Sequence, residues 1–384
     1  MEAYLDNSAT TKCSGRAAEL MMRLLTEEYG NPSSLHGMGA LAEKYIREAK
    51  KKIAKTLKAG ESELIFTSGG TESNNLAIFG SVWANRRAGN EIITTAIEHP
   101  SVLQPFRQLE ELGYRVAYLP VDASGTVCLN ALSDALSRQT ILVSIMHVNN
   151  EIGTIEPVEE AAALIREKAP NALFHVDAIQ SYGKLRIHPK KSGIDLLSVS
   201  GHKIHGPKGV GFLYVRDKAK VKPILLGGGQ QGGMRSGTEN VPAIAGLGEA
   251  AAQAYENLEA KTEAMYALRD YFIREILQIP GVTVNGASAE QSAPHIVSVS
   301  VEGVRSEVLL HSLEEKGVYV SAGSACSSNK PSVSKTLTAI GLKKERIEGT
   351  VRFSFCTCTT KEEVEYALAQ LAEIIPFRRK FTRK

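Results

Sequence analysis

From about residue 40 to residue 215 the chain alternates short apolar runs with helical stretches, and this alternation constrains its fold more than any other feature. The runs cover 64–66, 91–95, 115–119, 141–146, 173–176, 195–199 and 210–215. Between them lie stretches such as Asn74 to Arg86, Ser101 to Glu111 and Val158 to Lys168. Strand and helix in strict succession predict a mostly parallel sheet with helices on both faces. Ligands of such sheets sit beyond the carboxyl ends of the strands.

After Gly237 the pattern changes. A long helical stretch, Ala243 to Gln278, precedes a segment in which Val297, Val299 and Val301 alternate with Ser298 and Ser300, as in a strand with one wet face. A helix from Ser306 to Glu315 follows, then strands at 318–320 and 351–355. A last helix starts at Thr360, with Glu363 placed for a capping box. The expected fold class is α/β: a large mostly parallel-sheet domain plus a smaller α+β domain. The large domain is expected over 14–255, and the small one over 1–13 and 256–384. A chain of 384 residues is long enough for two such units.

A net charge of +3 on this length gives no electrostatic case for nucleic acid or membrane. No apolar run reaches spanning length and the N-terminus opens on a strand-like Ala3-Tyr4-Leu5, so the expected location is cytoplasmic. The cysteines are Cys13, Cys128, Cys326, Cys356 and Cys358, an odd number without scaffold density, which suits a reducing compartment. No metal site is expected from their spacing.

Several strand ends carry chemistry. Thr67-Ser68-Gly69-Gly70-Thr71-Glu72-Ser73-Asn74 joins a strand to a helix, so Gly70 and Thr71 stand where open amides and the helix dipole favour a phosphate; the alternative is a plain Gly-rich turn capped by Thr71. Glu98-His99-Pro100 places an imidazole that can stack on a ring and move protons. Asn149-Asn150-Glu151 offers amide donors. Asp177 is either a core acid or the negative partner of a pyridinium nitrogen, with Gln180 three residues on. Ser200-Gly201-His202-Lys203 closes the series with a lysine among small residues, either a surface lysine or a Schiff-base amine. His36, in a loop, is left without a role. The ordered set suits pyridoxal phosphate.

These motifs make a resemblance plain. Tyr4-Leu5-Asp6-Asn7-Ser8-Ala9-Thr10-Thr11, Gly30-Asn31-Pro32-Ser33-Ser34, the Gly-Gly-Thr-Glu-Ser-Asn run, Ser200 to Lys203, Arg235-Ser236-Gly237-Thr238-Glu239-Asn240 and Ser321-Ala322-Gly323-Ser324-Ala325-Cys326-Ser327-Ser328 together resemble the NifS/IscS-type, group I cysteine desulfurases of the class V aminotransferase superfamily. The match covers nearly the whole chain. It implies the fold type I architecture of pyridoxal-phosphate-dependent transferases and conversion of L-cysteine to L-alanine. The sulfur would pass to an enzyme cysteine as a persulfide and then to an acceptor protein, an iron–sulfur scaffold or a tRNA-thiolation enzyme. Rival activities are a selenocysteine lyase, another class V aminotransferase-like enzyme and a non-catalytic scaffold of the same fold.

Carried over residue by residue, the resemblance makes Lys203 the Schiff-base lysine and His99 the ring-stacking proton carrier. Asp177 would pair with the ring nitrogen, and Gln180 and Asn150 would lie near its phenolic oxygen. Thr71, Ser200 and His202 would hold the phosphate, joined by Thr238 from the neighbouring subunit of a homodimer. Arg352 would clamp the substrate carboxylate. Cys326, in a mobile loop at about 321–333, would attack the sulfur. Two stretches depart from the family. Gln230-Gln231-Gly232-Gly233 lacks the arginine usual there, and Cys356 and Cys358 replace a glycine and an aromatic. The two cysteines are expected on one face of an extended segment as small packing residues, with sulfur relay and metal ligation as the alternatives.

Overall fold

The computed structural model describes residues 1–322 and 333–381. Strand β1 (Ala3–Tyr4) leads into the large sheet, made of β2 (Leu64–Thr67), β3 (Glu91–Thr95), β4 (Arg115–Leu119), β5 (Thr140–Met146), β6 (Leu173–Asp177), β7 (Leu196–Ser200) and β8 (Gly211–Val215). Their order is β2-β8-β7-β6-β5-β3-β4. Strands β3 to β7 pair in parallel, and only β8 runs against its two neighbours. The carboxyl ends of β2, β3, β5, β6 and β7 therefore share one edge.

Period-2 side-chain alternation builds two cores from one sheet. Phe66, Val143, Ile145, Leu197, Val199 and Phe212 pack on one face, against helices that include Gly37–Leu57, Val158–Lys168 and Val241–Tyr255. Their alternates Ile65, Leu142, Leu196 and Leu213 pack on the other, against Gly70–Asn85 and Pro100–Glu111. This is why these runs read as continuously apolar.

The helical stretch after Gly237 is two helices, Val241–Tyr255 and Leu258–Ile276. They break at Asn257, which takes a left-handed φ of 53°, a conformation asparagine tolerates better than most residues. The second sheet is antiparallel, with β9 (Val282–Asn285), β10 (Ile296–Val301), β12 (Ser321–Ala322) and β13 (Thr350–Ser354) in the order β12-β13-β10-β9, while β11 (Val318–Tyr319) pairs in parallel with β1. Phe272, Val297, Val299, Phe353 and Leu371 form its core. Helix Lys361–Arg379 starts with the expected capping box: Thr360 Oγ1 accepts from Glu363 N at 3.2 Å, and Thr360 N donates to Glu363 Oε2 at 2.7 Å.

The expected wet face of β10 is in fact buried. Ser298 and Ser300 each accept a hydrogen bond from Asn285 Nδ2, at 3.2 and 2.9 Å, and Ser300 also bonds Thr350 at 2.7 Å. Serine alternation marked a polar face correctly, but side-chain hydrogen bonds satisfy it in place of water. Among the described residues, no helix is long and apolar enough to cross a membrane.

Candidate active site

At the shared edge of the large sheet lies a cavity of about 300 Å³. Its walls bring together Gly70, Thr71, His99, Asn150, Asp177, Gln180, Ser200, His202, Lys203 and Arg352, residues spread over more than 280 positions of sequence. Of the expected site residues, Thr238 is exposed and is not among those lining the cavity, and Cys326 falls outside the described residues.

The lower wall is a chain of hydrogen bonds. Asp177, the last residue of β6, is buried. Its Oδ1 accepts from Ile179 N at 3.0 Å and its Oδ2 from Asn74 Nδ2 at 2.8 Å. Asn74 Nδ2 also donates to Ser101 Oγ at 2.9 Å, which engages both hydrogens of that amide. The Ser101 hydroxyl in turn lies 2.8 Å from His99 Nδ1, and Ser101 N donates to the same nitrogen at 3.1 Å. A nitrogen that accepts from a backbone N–H holds no proton, so neutral His99 carries its proton on Nε2. Burial pushes the Asp177 carboxyl above its ordinary range, partly countered by its two hydrogen bonds and by the fields of His99 and Lys203. Burial lowers the His99 pKa, with Asp177 opposing and Lys203 reinforcing the shift.

Asn74 and Ser101 escaped the sequence reading as site residues. The available signal was a buried polar side chain on the sheet-facing side of a helix whose other buried positions are small or apolar. Glu98 escaped likewise: its Oε1 accepts from Thr95 Oγ1 at 2.9 Å and from Met146 N at 2.8 Å, joining the ends of β3 and β5 beneath His99. Burial holds its carboxyl well above the usual range.

The helix Gly70–Asn85 points its N-terminus into the cavity. A Cβ on Gly70 would stand 2.2 Å from Ile179 Cδ1, so a side chain would fill the space before the first helical amides. One on Gly211, opposite in β8, would lie 2.9 Å from Gly69 Cα, so only glycine lets this loop pack against the sheet. Ser200 and His202 complete the seat. His202 is pushed down to about 4 by burial and by the neighbouring ammonium groups of Lys203, Lys208 and Lys184. Neutral donors in a cationic field beside a helix N-terminus suit a bound phosphate.

Lys203 Nζ donates to the carbonyls of Ser8 and Ala9, the latter at 2.9 Å. Those carbonyls belong to a strap, residues 5–11, that crosses from the second sheet to the first. Ser354 N donates to Leu5 O at 2.7 Å, and Thr11 N donates to His202 O at 2.8 Å. The Tyr4-to-Thr11 motif is thus legible as the element that holds the lysine.

Arg352, on β13, forms the upper wall and is 4% exposed. Its Nη2 is paired with Asp6 Oδ1 at 2.9 Å, and its Nη1 donates to Asn150 O at 2.7 Å. Nε is buried without a partner. Gln180 Nε2 donates to Ser8 O at 3.1 Å, while its Oε1 is unpartnered. Asn149 shapes the loop that carries Asn150, its Oδ1 accepting from Glu151 N and Ile152 N at 2.9 and 3.0 Å. Described chain flanks residues 323–332 on both sides of this wall. Ser321 is the register partner of Arg352, and Ser334 Oγ bonds Glu151 Oε2 at 2.5 Å.

Of the two sequence departures, Gln231 is engaged internally: its Oε1 accepts from Phe66 N at 3.2 Å and its Nε2 donates to Glu239. Cys356 and Cys358 do not both pack. Cys356 is buried, but Cys358 is exposed, because the chain turns after β13 and does not continue extended.

The geometry accommodates pyridoxal phosphate. An anion seat, an acidic floor, an imidazole and an amine line one cavity of small-molecule size. Residues 3–367 match the model of the aminotransferase class-V family. A cysteine desulfurase IscS of Dictyoglomus turgidum is 45% identical, covering 97% of this chain and 94% of its own. Another, from Methanosarcina thermophila, is also 45% identical over 97% and 91% of the two chains. A solved NifS-like protein superposes with a TM-score of 0.93 at 39% identity, over 98% of this chain and all of its own. A structure described as SspA in complex with cysteine does so with a TM-score of 0.81 at 35% identity, over 93% of this chain and 100% of its own. The chain therefore belongs to the aminotransferase class-V family, among the IscS- and NifS-type cysteine desulfurases.

Proposed function

We propose that this chain is a pyridoxal-phosphate-dependent cysteine desulfurase that converts L-cysteine to L-alanine and receives the sulfur on Cys326 as a persulfide. The observation that carries this reading is the convergence of Lys203, Asp177, His99 and Arg352 on one cavity, with a buried Arg352 nitrogen left for a carboxylate. The names of its relatives, and the cysteine bound to one similar structure, support the substrate.

When bound, the cofactor supplies an aldehyde that condenses with an amine and a ring that takes up an electron pair released at the substrate. Gly70 and Thr71 at the helix N-terminus, with Ser200 and His202, hold the phosphate, and Thr238 serves the neighbouring subunit's site in a homodimer. Asp177 faces the ring nitrogen as a carboxylate. That positive partner reverses the effect of burial on its pKa. Gln180, through its second N–H, and Asn150 bind at the phenolic oxygen. Arg352 takes the substrate carboxylate in a bidentate grip that includes Nε. Lys203 Nζ would hold the cofactor's aldehyde carbon and, when free, would take the Cα proton. The His99 imidazole would lie against the ring, and its Nε2 would exchange the proton of the substrate thiol.

Cys326 thiolate then attacks the substrate sulfur. An S–S bond forms as the substrate Cβ–S bond breaks, and the electron pair stays with the carbon fragment, which takes up protons to leave as alanine. Ala322, four residues before Cys326, adjoins Val351 in the sheet, and four extended residues span about 13 Å. The sulfur passes on to an acceptor protein of iron–sulfur assembly or tRNA thiolation, in the cytoplasm.

The test is to give L-cysteine to the purified protein, then measure alanine and a mass gain of one sulfur on the Cys326 peptide. Lys203→Ala should remove the Schiff-base absorption and turnover together. Cys326→Ala should keep the absorption and end persulfide formation. Sulfide release by Cys326→Ala at the parent rate would show that the thiol has another role.

A further inference from the structure

Behind the strap, on the side away from the cavity already described, a second cavity of about 510 Å³ has His205, Cys356 and Cys358 in its wall. One ligand-capable atom of each lies within 4.8 Å of the other two. A tetrahedral zinc ion, with Zn–S near 2.3 Å and Zn–N near 2.0 Å, needs its ligands about 3.4–3.8 Å apart, so the three are within about 1 Å of ligating spacing. Cys358, exposed in the turn after β13, is free to make that adjustment by side-chain rotation.

The tautomer of His205 leaves Nε2 able to ligate. Its Nδ1 lies 2.9 Å from the Lys12 carbonyl oxygen, which can only accept, so the proton is on Nδ1 and Nε2 presents a lone pair. A metal-bound imidazole is usually oriented in this way, its second nitrogen tied to a carbonyl or carboxylate. The ring sits on a fixed backbone. His205 N donates to Thr11 Oγ1 at 2.8 Å, Ser14 N donates to His205 O at 2.9 Å, and the residue is held at a φ of 62°. Left-handed φ is uncommon outside glycine and clusters at functional positions. On the other side, Cys358 N at 3.4 Å and Thr359 Oγ1 at 3.6 Å both aim at Cys356 Sγ, an arrangement that favours a thiolate ligand.

We propose that His205, Cys356 and Cys358 form a binding site for a thiophilic cation of the Zn²⁺ class, with a fourth position open to the cavity. Two sulfurs and one imidazole select such an ion over Mg²⁺ or Ca²⁺, which take oxygen ligands. The site joins two parts of the molecule: His205 is two residues beyond Lys203, and Cys356 is four beyond Arg352. An ion held there staples the Arg352 strand to the Lys203 loop. Nothing in this proposal depends on the desulfurase chemistry.

The experiment is equilibrium dialysis of full-length, cofactor-loaded protein against buffered Zn²⁺, with metal content read by mass spectrometry. A Cys326→Ser background removes the competing thiol. One zinc per chain is expected. Cys356→Ser, Cys358→Ser and His205→Gln should each weaken binding at least about tenfold, and Cys128→Ser should leave it unchanged. Without any substitution at the site, Zn²⁺ should slow alkylation of Cys358 at least about tenfold but not that of Cys128, and should raise the unfolding temperature. The proposal is overturned by zinc uptake indifferent to all three substitutions, by Cys358 labelling unchanged by zinc, or by a Cys356–Cys358 disulfide that reductant does not open.

Discussion

The two walls of the active-site cavity are built to different degrees of completion. On the large-sheet side, Asp177, Asn74, Ser101 and His99 form an unbroken hydrogen-bonded series in which both N–H groups of Asn74 are engaged. On the second-sheet side, Arg352 is fixed by Asp6 and Asn150 but keeps its charged Nε buried and unpartnered. A buried unpaired donor costs about 1–3 kcal/mol, more when charged, which is tolerated where a ligand will supply the partner. A wall tied together by its own hydrogen bonds, with amide oxygens such as Asn74 Oδ1 and Gln180 Oε1 left open, suits an occupant that stays, here the cofactor. A wall with an open charged donor suits one that arrives and leaves, here the amino acid.

The comparison breaks most readily at Arg352. Arg352→Lys keeps the charge and loses the planar fork, so the Asp6 and Asn150 contacts and the substrate grip cannot all be made. The expected outcome is a roughly 100-fold fall in kcat/KM, carried mostly by KM, with cofactor absorption unchanged. An equal fall in cofactor affinity would show that the two walls are not separable.

The opposite test is Asn74→Ala. It leaves Asp177 Oδ2 and Ser101 Oγ without their shared donor in a buried setting. The carboxylate is then less stabilised, and cofactor affinity should fall roughly tenfold, the worth of one hydrogen bond to a charged group. KM for cysteine in fully loaded protein should change little. Equilibrium titration of cofactor-stripped protein measures the first, and steady-state kinetics at saturating cofactor the second.

Legibility in the sequence followed the same division. The cofactor wall lies at strand ends, and strands buried on both faces announce themselves as apolar runs, so Asp177, His99 and Lys203 could be placed by counting to the end of each run. Arg352 sits inside β13, where nothing in the local pattern separates it from a core position, and only the family resemblance pointed to it. Asn74 and Ser101 act through the side chains of Asp177 and His99, so no motif logic reached them. The β10 serines misled because alternation reports polarity, and burial depends on what the rest of the chain lays over that face. Cys356 and Cys358 were placed by carrying the extended conformation of β13 four residues past its end at Ser354, and their nearness to His205 is a tertiary fact.

A smaller effect separates His99 from its support. Ser101→Ala removes the hydroxyl beside Nδ1 and keeps the backbone N–H. Both donors oppose protonation of the ring, so losing one moves the acid limb of the kcat/KM profile toward higher pH. The expected loss is about threefold on that limb and little on the plateau. A uniform loss at all pH values would mean that Ser101 acts only by packing.

The smallest effect sets His99 against a histidine with no access to the cavity. His175, inside β6, is fully buried between Ser144 Oγ at 2.8 Å and Ser198 Oγ at 2.9 Å, and burial pushes it down to about 3. His147 is likewise pushed down to about 4. In the unfolded chain both titrate near the ordinary value of about 6.5, so below that pH the unfolded state binds more protons. Their contribution to stability is complete above about 6.5 and is lost as pH falls toward the folded values. Glu156 works in the other sense: burial raises it to about 8, so its contribution is present below the ordinary carboxylate range and is lost as pH rises through that value. Glu98 and Glu151, also raised by burial, act in the same sense as Glu156, so the contribution of His175 is read from the difference between the parent and its variant in urea unfolding between pH 6.5 and pH 4.5. Replacing His175 with Asn should reduce the slope by up to about 1.4 kcal/mol per pH unit, one proton's worth, while leaving the acid limb of turnover where it was. If that limb moves with His175, the acid sensitivity of the reaction belongs to the sheet and not to His99.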